Sequence, residues 1–121
     1  MLQVYRVQDA EGRGPYKPGM SKRWVDEDGD PPPLPFVAEF GNGIIGHLNS
    51  KIDAYGGACG CACRSVDGLA RWFTVTERPR LAALGYRIVS MGVNEVLAES
   101  EAQLVFWRLL PLRWNVTLVS W

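Results

Sequence analysis

Three cysteines and a serine stand close together where a strand pattern gives way to a helix pattern. Residues 59–63 alternate Cys-Gly-Cys-Ala-Cys, which places three thiols on one face of a predicted strand and almost no side chain on the other. We expect packed backbone or a flat ligand against that second face. Ser65 is predicted to N-cap a helix over Val66–Phe73, so its hydroxyl and the first free N–H groups of the helix would face one opening. The sequence therefore predicts a ligand site at this junction.

The thiols allow three interpretations: a buried core strand, a metal site or a reactive nucleophile. Cys-x-Cys can ligate zinc together with His47, the only histidine, but structural zinc sites draw a second pair of ligands from elsewhere in the chain. Cysteine is also among the most readily buried residues. We therefore predict a small-residue core strand with no metal. Three cysteines crowded into five positions do not form a disulfide framework, and reduced thiols fit a cytoplasmic setting.

Composition narrows the class of protein. A chain of 121 residues with 47% hydrophobic residues predicts a single domain, 1–121, with one core. Thirteen basic and thirteen acidic residues give a net charge of zero, and the basic residues are scattered. This pattern argues against direct nucleic-acid binding and against a polybasic membrane anchor. The apolar runs are too short to cross a bilayer, so no membrane partner is expected.

The order of the elements indicates an α+β fold, with a mixed or antiparallel sheet and short helices. Residues 9–19 are rich in turn formers, and 26–35 forms an acidic and then proline-rich loop. Residues 93–97 are predicted to form a turn or short helix. Strands are predicted at 1–7, 59–63, 86–91, 103–109 and 114–121, and helices at 44–48, 66–73 and from an N-cap at Thr76 to a stop at Gly85.

Arg6 is the first charged residue of the chain and lies inside the first predicted strand. An arginine is costly to bury unless it is paired, so this one either points to solvent or meets an anion. The glycine-rich turn Gly12–Tyr16 follows shortly after it. Trp72 and Phe73, near the end of the central helix, are predicted to be core residues rather than a stacking platform for a ligand.

Together these pieces resemble the small ADP-ribosyltransferase-like and RES-type NAD-consuming folds. The resemblance rests on Val4-Tyr5-Arg6-Val7, the glycine-rich loop and a later strand that reaches Ser65 before a helix. It implies that Arg6 holds the phosphates or ribose of NAD and that Ser65 supports the nicotinamide side. The family's glutamate falls on Glu101-Ala102-Gln103, where the order of glutamate and glutamine is reversed.

The resemblance also implies roles for these and neighbouring side chains. Glu101 would stabilise the oxocarbenium ion, and an aromatic residue would form a wall for nicotinamide. The implied catalytic residues are Arg6, Ser65 and Glu101, and the implied NAD-binding residues are Tyr5, Arg6, Tyr16, Trp24, Ser65 and Gln103.

Segments 5–16, 69–73 and 84–89 also look like small uncharacterised proteins of phages and prophages, which implies the cytoplasm of a bacterial host. One hypothesis is an NAD-binding transferase or NADase acting in phage–host conflict, with NAD as substrate. The alternative is a non-enzymatic, anti-CRISPR-type inhibitor of a host protein complex, which five tryptophans and the acidic residues 26–30 would suit. A third is a structural or assembly module. The oligomeric state stays open.

Overall fold

The computed structural model describes residues 2–15, 40–41 and 43–121. The predicted loop 26–35 and the residues Tyr16 and Trp24 lie outside the described residues. The elements in chain order are β1 (Leu2–Gln8), α1 (Gly43–Tyr55), β2 (Ala58–Ala62), α2 (Val66–Ala70), α3 (Arg78–Ala83), β3 (Arg87–Val93), β4 (Glu95–Glu99), β5 (Leu104–Arg108) and β6 (Val116–Val119).

The strands form two antiparallel sheets of three strands each, so the α+β class predicted from sequence is confirmed. Sheet I has the order β1-β3-β6 and sheet II the order β2-β5-β4. The chain passes from β3 in sheet I to β4 in sheet II through Asn94 alone. The Asn94 N–H donates to the Trp107 carbonyl (3.1 Å), and its Oδ1 accepts from the Leu109 N–H (2.8 Å). Asn94 thus connects the two sheets, and its backbone and side chain both hydrogen-bond to the end of β5 in sheet II.

Alternation along the strands distributes the core over three hydrophobic clusters. The outer face of sheet I packs against the two short helices through Val7, Ile88, Leu69, Phe73 and Leu81. The two sheets pack together through Val4, Met91, Val93, Leu104 and Phe106. The outer face of sheet II packs against α1 through Val105, Ile44 and Leu48. No helix among the described residues is long and apolar enough to cross a membrane.

The sheets meet at their edges in a single residue pair. Tyr5 of β1 and Cys63, just after β2, exchange two backbone hydrogen bonds of 2.8 Å each. Both β1 and β2 are edge strands of their own sheets. Next to this pair the gap is crossed by a side chain, because Arg6 Nη1 donates to the Cys61 carbonyl (3.0 Å).

Several boundaries differ from the sequence-based expectations. The prediction of a turn or short helix at 93–97 is wrong, because β4 occupies Glu95–Glu99. Its register against β5 shifts between Val96 and Ala98. This irregularity puts three apolar residues in succession and hides the alternation that would have revealed a strand.

The helices also shift. The helix expected at 44–48 runs over Gly43–Tyr55, and the one expected over 66–73 ends at Ala70. The third helix has Glu77 rather than Thr76 as its N-cap, because it begins only at Arg78. The predicted stop at Gly85 is confirmed. Its φ is +89°, and the Gly85 and Tyr86 N–H groups return to the carbonyls of Ala82 and Leu81.

The face of β2 without side chains is occupied by Arg6 and Phe106. A Cβ added at Gly60 would clash with Arg6 Nη1 and would lie 3.1 Å from Phe106 Cζ. The guanidinium carbon lies 6.0 Å from the centre of the Phe106 ring. The close approach on this face is therefore made by the side chains of Arg6 and Phe106, so the prediction of packed backbone or a flat ligand was wrong in the kind of group.

We expect Gly60→Ala to lower the free energy of unfolding by about 1–3 kcal/mol, because the added methyl group has to displace a buried guanidinium. The matched control is Gly46→Ala on the exposed side of α1, where a Cβ meets nothing within 4 Å. That substitution should raise stability by about 0.5–1 kcal/mol through helix propensity. Urea unfolding of both variants measures the difference. A Gly60→Ala protein as stable as the wild type would contradict the packing described.

Candidate functional site

A cavity of about 460 Å³ lies where the edge strands β1 and β2 meet. This volume falls within the range of about 300–1,000 Å³ that is typical of small-molecule sites. Its walls come from β1, the turn that follows it, β2, the segment around α2 and the approach to β6. The lining residues are Arg6, Val7, Gly12, Arg13, Gly14, Pro15, Gly60, Cys61, Ala62, Cys63, Leu69, Trp72, Phe73, Gln103 and Leu112.

Arg6 is the central polar residue of this cavity and is only 7% exposed. Besides its bond to Cys61, it donates from Nη2 to the Gly12 carbonyl (3.1 Å). Its Nε is buried and has no hydrogen-bond partner among the described residues. Within residues 2–15, 40–41 and 43–121, Arg6 forms no ion pair with a carboxylate. Burial lowers the pKa of Arg6, with Cys61 and Asp9 acting in the opposite direction, and the group stays charged as arginines do in proteins.

Among the described residues, two carbonyls and the ring of Phe106 are the partners of this buried cation, and none of them carries a negative charge. Removing a charge from water costs several kcal/mol, which neutral acceptors offset only in part. A guanidinium carries more N–H groups than these two bonds use. An anion in the cavity would therefore find a desolvated, charged donor already in place.

A purely structural role for Arg6 has a precedent in the same chain. Arg108 is also buried, and its Nη1 donates to the carbonyls of Pro111 (3.0 Å) and Trp114 (2.8 Å). It thereby holds the loop that follows β5. Arg6 holds the turn at Gly12 in a similar way. The difference is that Arg6 also lines a cavity large enough for a ligand.

The wall beside Arg6 is apolar and aromatic. Leu69 of α2 and the following Trp72 and Phe73 are buried in the helix-side cluster and also line the cavity. Trp72 Nε1 donates to the Ala102 carbonyl (3.0 Å), which fixes the indole. The prediction that Trp72 and Phe73 belong to the core is confirmed. Both also line the cavity, so its wall is apolar on this side.

Gln103 is the buried amide of the cavity, and the turn before β5 positions it. Ser100 Oγ accepts from the backbone N–H groups of Ala102 (3.1 Å) and Gln103 (3.3 Å). Cys63 Sγ contacts the Ala102 carbonyl at 3.5 Å. This local network ties residues 100–103 to the end of β2.

The structure brings Arg6 and Gln103 together at the cavity, whereas Tyr5, Ser65 and Glu101 are not among its lining residues. Ser65 is exposed, and its Oγ accepts from the Gly68 N–H (3.1 Å), which confirms it as an N-cap. Glu101 is exposed, and its backbone carbonyl accepts from Arg71 Nη1 (3.2 Å). Tyr5 is half-buried against the helix-side cluster. The roles proposed for these three residues stay predictions.

The contact between two lining residues, Gly12 and Leu112, was not predicted from the sequence. Gly12 has a φ of +90°, and a Cβ there would lie 2.8 Å from Leu112 Cβ. The turn at Gly12 and the approach to β6 therefore touch, although 100 residues separate them in sequence. Only the glycines of the 12–14 turn could have hinted at this contact.

Burial raises the pKa of all three cysteine thiols. It raises the pKa of Cys61 to about 11 and that of Cys63 to about 11. All three cysteines are free. In the described part of the chain no three His, Cys, Asp or Glu side chains are grouped to hold a metal ion, and His47 is exposed on α1.

A family model described as Bacteriophage T4 Y00F protein matches residues 1–109. No curated protein and no solved structure matches the chain.

We expect Ser65→Ala to lower stability by about 1 kcal/mol, because it leaves the Gly68 N–H without its capping acceptor. Ser120→Ala, at an exposed serine outside the helices and strands, serves as the control. Thermal or urea unfolding measures both. A loss for Ser65→Ala no larger than that of the control would contradict the capping role.

The thiols should react slowly in the folded protein. With a pKa of about 11, Cys61 and Cys63 carry on the order of one thiolate per thousand molecules at pH 8. A colorimetric thiol reagent should modify Cys59 first and the other two at least about tenfold more slowly, and all three rapidly in denaturant. Elemental analysis should find no stoichiometric zinc. One zinc per chain, or rapid modification of all three thiols in the folded protein, would contradict the core interpretation.

Proposed function

The chain belongs to the Bacteriophage T4 Y00F protein family, and we propose that this phage protein binds NAD or a closely related dinucleotide in the Arg6 cavity. The observation that carries the proposal is the buried Arg6 guanidinium, which lines the cavity without a carboxylate partner among the described residues. A phosphate is the ligand group that such a guanidinium binds most strongly, through charge-assisted hydrogen bonds.

The rest of the cavity suits the remainder of such a ligand. Trp72 and Phe73 are buried in the helix-side cluster and give the cavity an apolar wall beside which a nicotinamide or adenine ring can lie. Gln103 lines the same cavity and could hydrogen-bond the edge of a ring or a ribose hydroxyl. In this arrangement Arg6 binds the phosphates of the ligand, and the apolar wall lies beside one of its rings.

The helix N-terminus plays no part in this proposal. α2 has only five residues, and the Gly68 N–H is already occupied by Ser65 Oγ. Ser65 therefore enters as the residue that fixes α2, and with it Leu69, at the cavity wall.

An ADP-ribosyltransferase-like fold and activity form the finer part of the proposal. They are supported by an arginine in the first strand, by two small antiparallel sheets that meet at one edge pair, and by Gln103 just before β5. Glu101 would stabilise positive charge that develops on the nicotinamide ribose as the glycosidic bond breaks. Electrostatic stabilisation of this kind acts mainly in the transition state.

Titration of the protein with NAD by calorimetry, with a nicotinamide-release assay alongside, tests both parts. Lysine cannot present two parallel N–H donors, so Arg6→Lys should weaken NAD binding at least about tenfold. Arg64→Lys is the matched control, because Arg64 is exposed and paired with Glu99 outside the cavity, and it should leave binding unchanged. Glu101→Gln should keep NAD binding and lose nicotinamide release at least about tenfold.

The outcomes separate the hypotheses. Binding lost with Arg6→Lys and kept with Arg64→Lys supports the proposed site, and loss of release with Glu101→Gln supports the enzyme. Binding without release makes the protein a dinucleotide-binding module. If the wild type neither binds NAD nor releases nicotinamide, the proposal is wrong. A host protein captured through residues 26–35 would then favour the inhibitor hypothesis.

A further inference from the structure

A second, smaller cavity lies at the end of sheet I, where β1 ends at Gln8 and β3 begins at Arg87. It measures about 270 Å³, and we propose that it binds a small phosphate monoester that carries a hydroxyl group. The lining residues are Gln8, Asp9, Ala10, Arg87, Val89, Arg113, Val116 and Leu118.

The buried side-chain oxygen of Gln8 can accept a hydrogen bond from a ligand in this cavity. Gln8 is 2% exposed, and its Nε2 donates to the Leu112 carbonyl (2.9 Å), which fixes the orientation of the amide. Its Oε1 is buried and has no hydrogen-bond partner in the part of the chain that the structure describes. A buried acceptor without a donor destabilises the protein, and a donor on a ligand would remove that cost. A hydroxyl group is a small neutral donor of the required kind.

Two arginines at the same cavity supply the positive charge. Arg87 is the register partner of Gln8 across β1 and β3, so the two side chains share one face of the sheet. Arg113 directly follows Leu112, whose carbonyl holds Gln8. Both arginines are exposed, and within the described residues neither forms an ion pair. Guanidinium groups bind phosphate through paired, charge-assisted hydrogen bonds.

Asp9 is the acidic side chain at this cavity, and its carboxylate is hydrogen-bonded within its own turn, where Arg13 also pairs with Glu11. Its Oδ1 accepts from the backbone N–H groups of Glu11 (3.0 Å) and Arg13 (2.9 Å), and its Oδ2 from Arg13 Nε (3.2 Å). Burial raises the pKa of Asp9, but these hydrogen bonds and the Arg13 charge outweigh it and lower the pKa overall. Asp9 therefore stays an occupied acceptor, which leaves Gln8 Oε1 for the hydroxyl group of the ligand.

The size and floor of the cavity limit the ligand to a few carbon atoms. Val89, Val116 and Leu118 form an apolar floor. A volume of about 270 Å³ lies below the range of drug-sized sites, so a dinucleotide is too large and a phosphate on a three- to five-carbon skeleton fits. This site is therefore distinct in size from the Arg6 cavity, although both adjoin the turn after β1.

The test uses sn-glycerol 3-phosphate as the probe and calorimetric titration of the full chain. Propyl phosphate is the matched compound without hydroxyl groups, and it should bind at least about fivefold more weakly if Gln8 Oε1 accepts from the ligand. Arg87→Gln and Arg113→Gln should each weaken binding of glycerol 3-phosphate at least about tenfold. Arg64→Gln, an exposed arginine away from both cavities, is the control and should leave binding unchanged.

Gln8→Met should abolish the preference for glycerol 3-phosphate over propyl phosphate. Because that variant also loses the bond to Leu112, the comparison of the two compounds on the wild type tests the same point without a substitution. No binding at millimolar concentration, equal affinity for the two compounds, or unchanged affinity in both arginine variants would each overturn the proposal. Displacement of the probe by NAD would also overturn it, since this site does not depend on the Arg6 cavity.

Discussion

The burial of Arg6 between two edge strands is the constraint on which the rest of the structure depends. β1 and β2 are each an edge strand of their own sheet, and among the described residues the backbones of the two sheet edges bond directly at Tyr5 and Cys63 alone. Beside that pair the guanidinium takes over the pairing, because it donates to carbonyls at Cys61 and Gly12. A charged side chain thus replaces part of a ladder of backbone hydrogen bonds.

This replacement dictates the sequence around it. Gly60 has to lack a side chain because the guanidinium lies against its Cα, and Phe106 supplies an aromatic ring behind the glycine. The alternation Cys-Gly-Cys-Ala-Cys follows from the same need. Thiols face the helices and the cavity rim, and small residues face the cation and the neighbouring sheet.

The features that the sequence predicted correctly depend on residues that are close together in the chain. Ser65 as an N-cap and Gly85 as a helix stop are local patterns, and both stand in the structure. The absence of side chains opposite the thiols correctly pointed to a close approach. That Arg6 makes this approach could not be predicted, because Arg6 and Gly60 are 54 positions apart in the sequence. The strand at 95–99 was missed because its bulge breaks the period that identifies strands.

The single-residue passage at Asn94 has a mechanical consequence. Sheet I and sheet II are one continuous chain at that point, and Asn94 is hydrogen-bonded through both its backbone and its side chain. At the opposite side the sheets are held by the Tyr5–Cys63 pair and the Arg6 guanidinium. The two sheets are therefore joined covalently at Asn94 and by hydrogen bonds between β1 and the region of β2. A ligand that draws Arg6 away from Cys61 would remove one of these hydrogen bonds and leave the covalent connection at Asn94 in place.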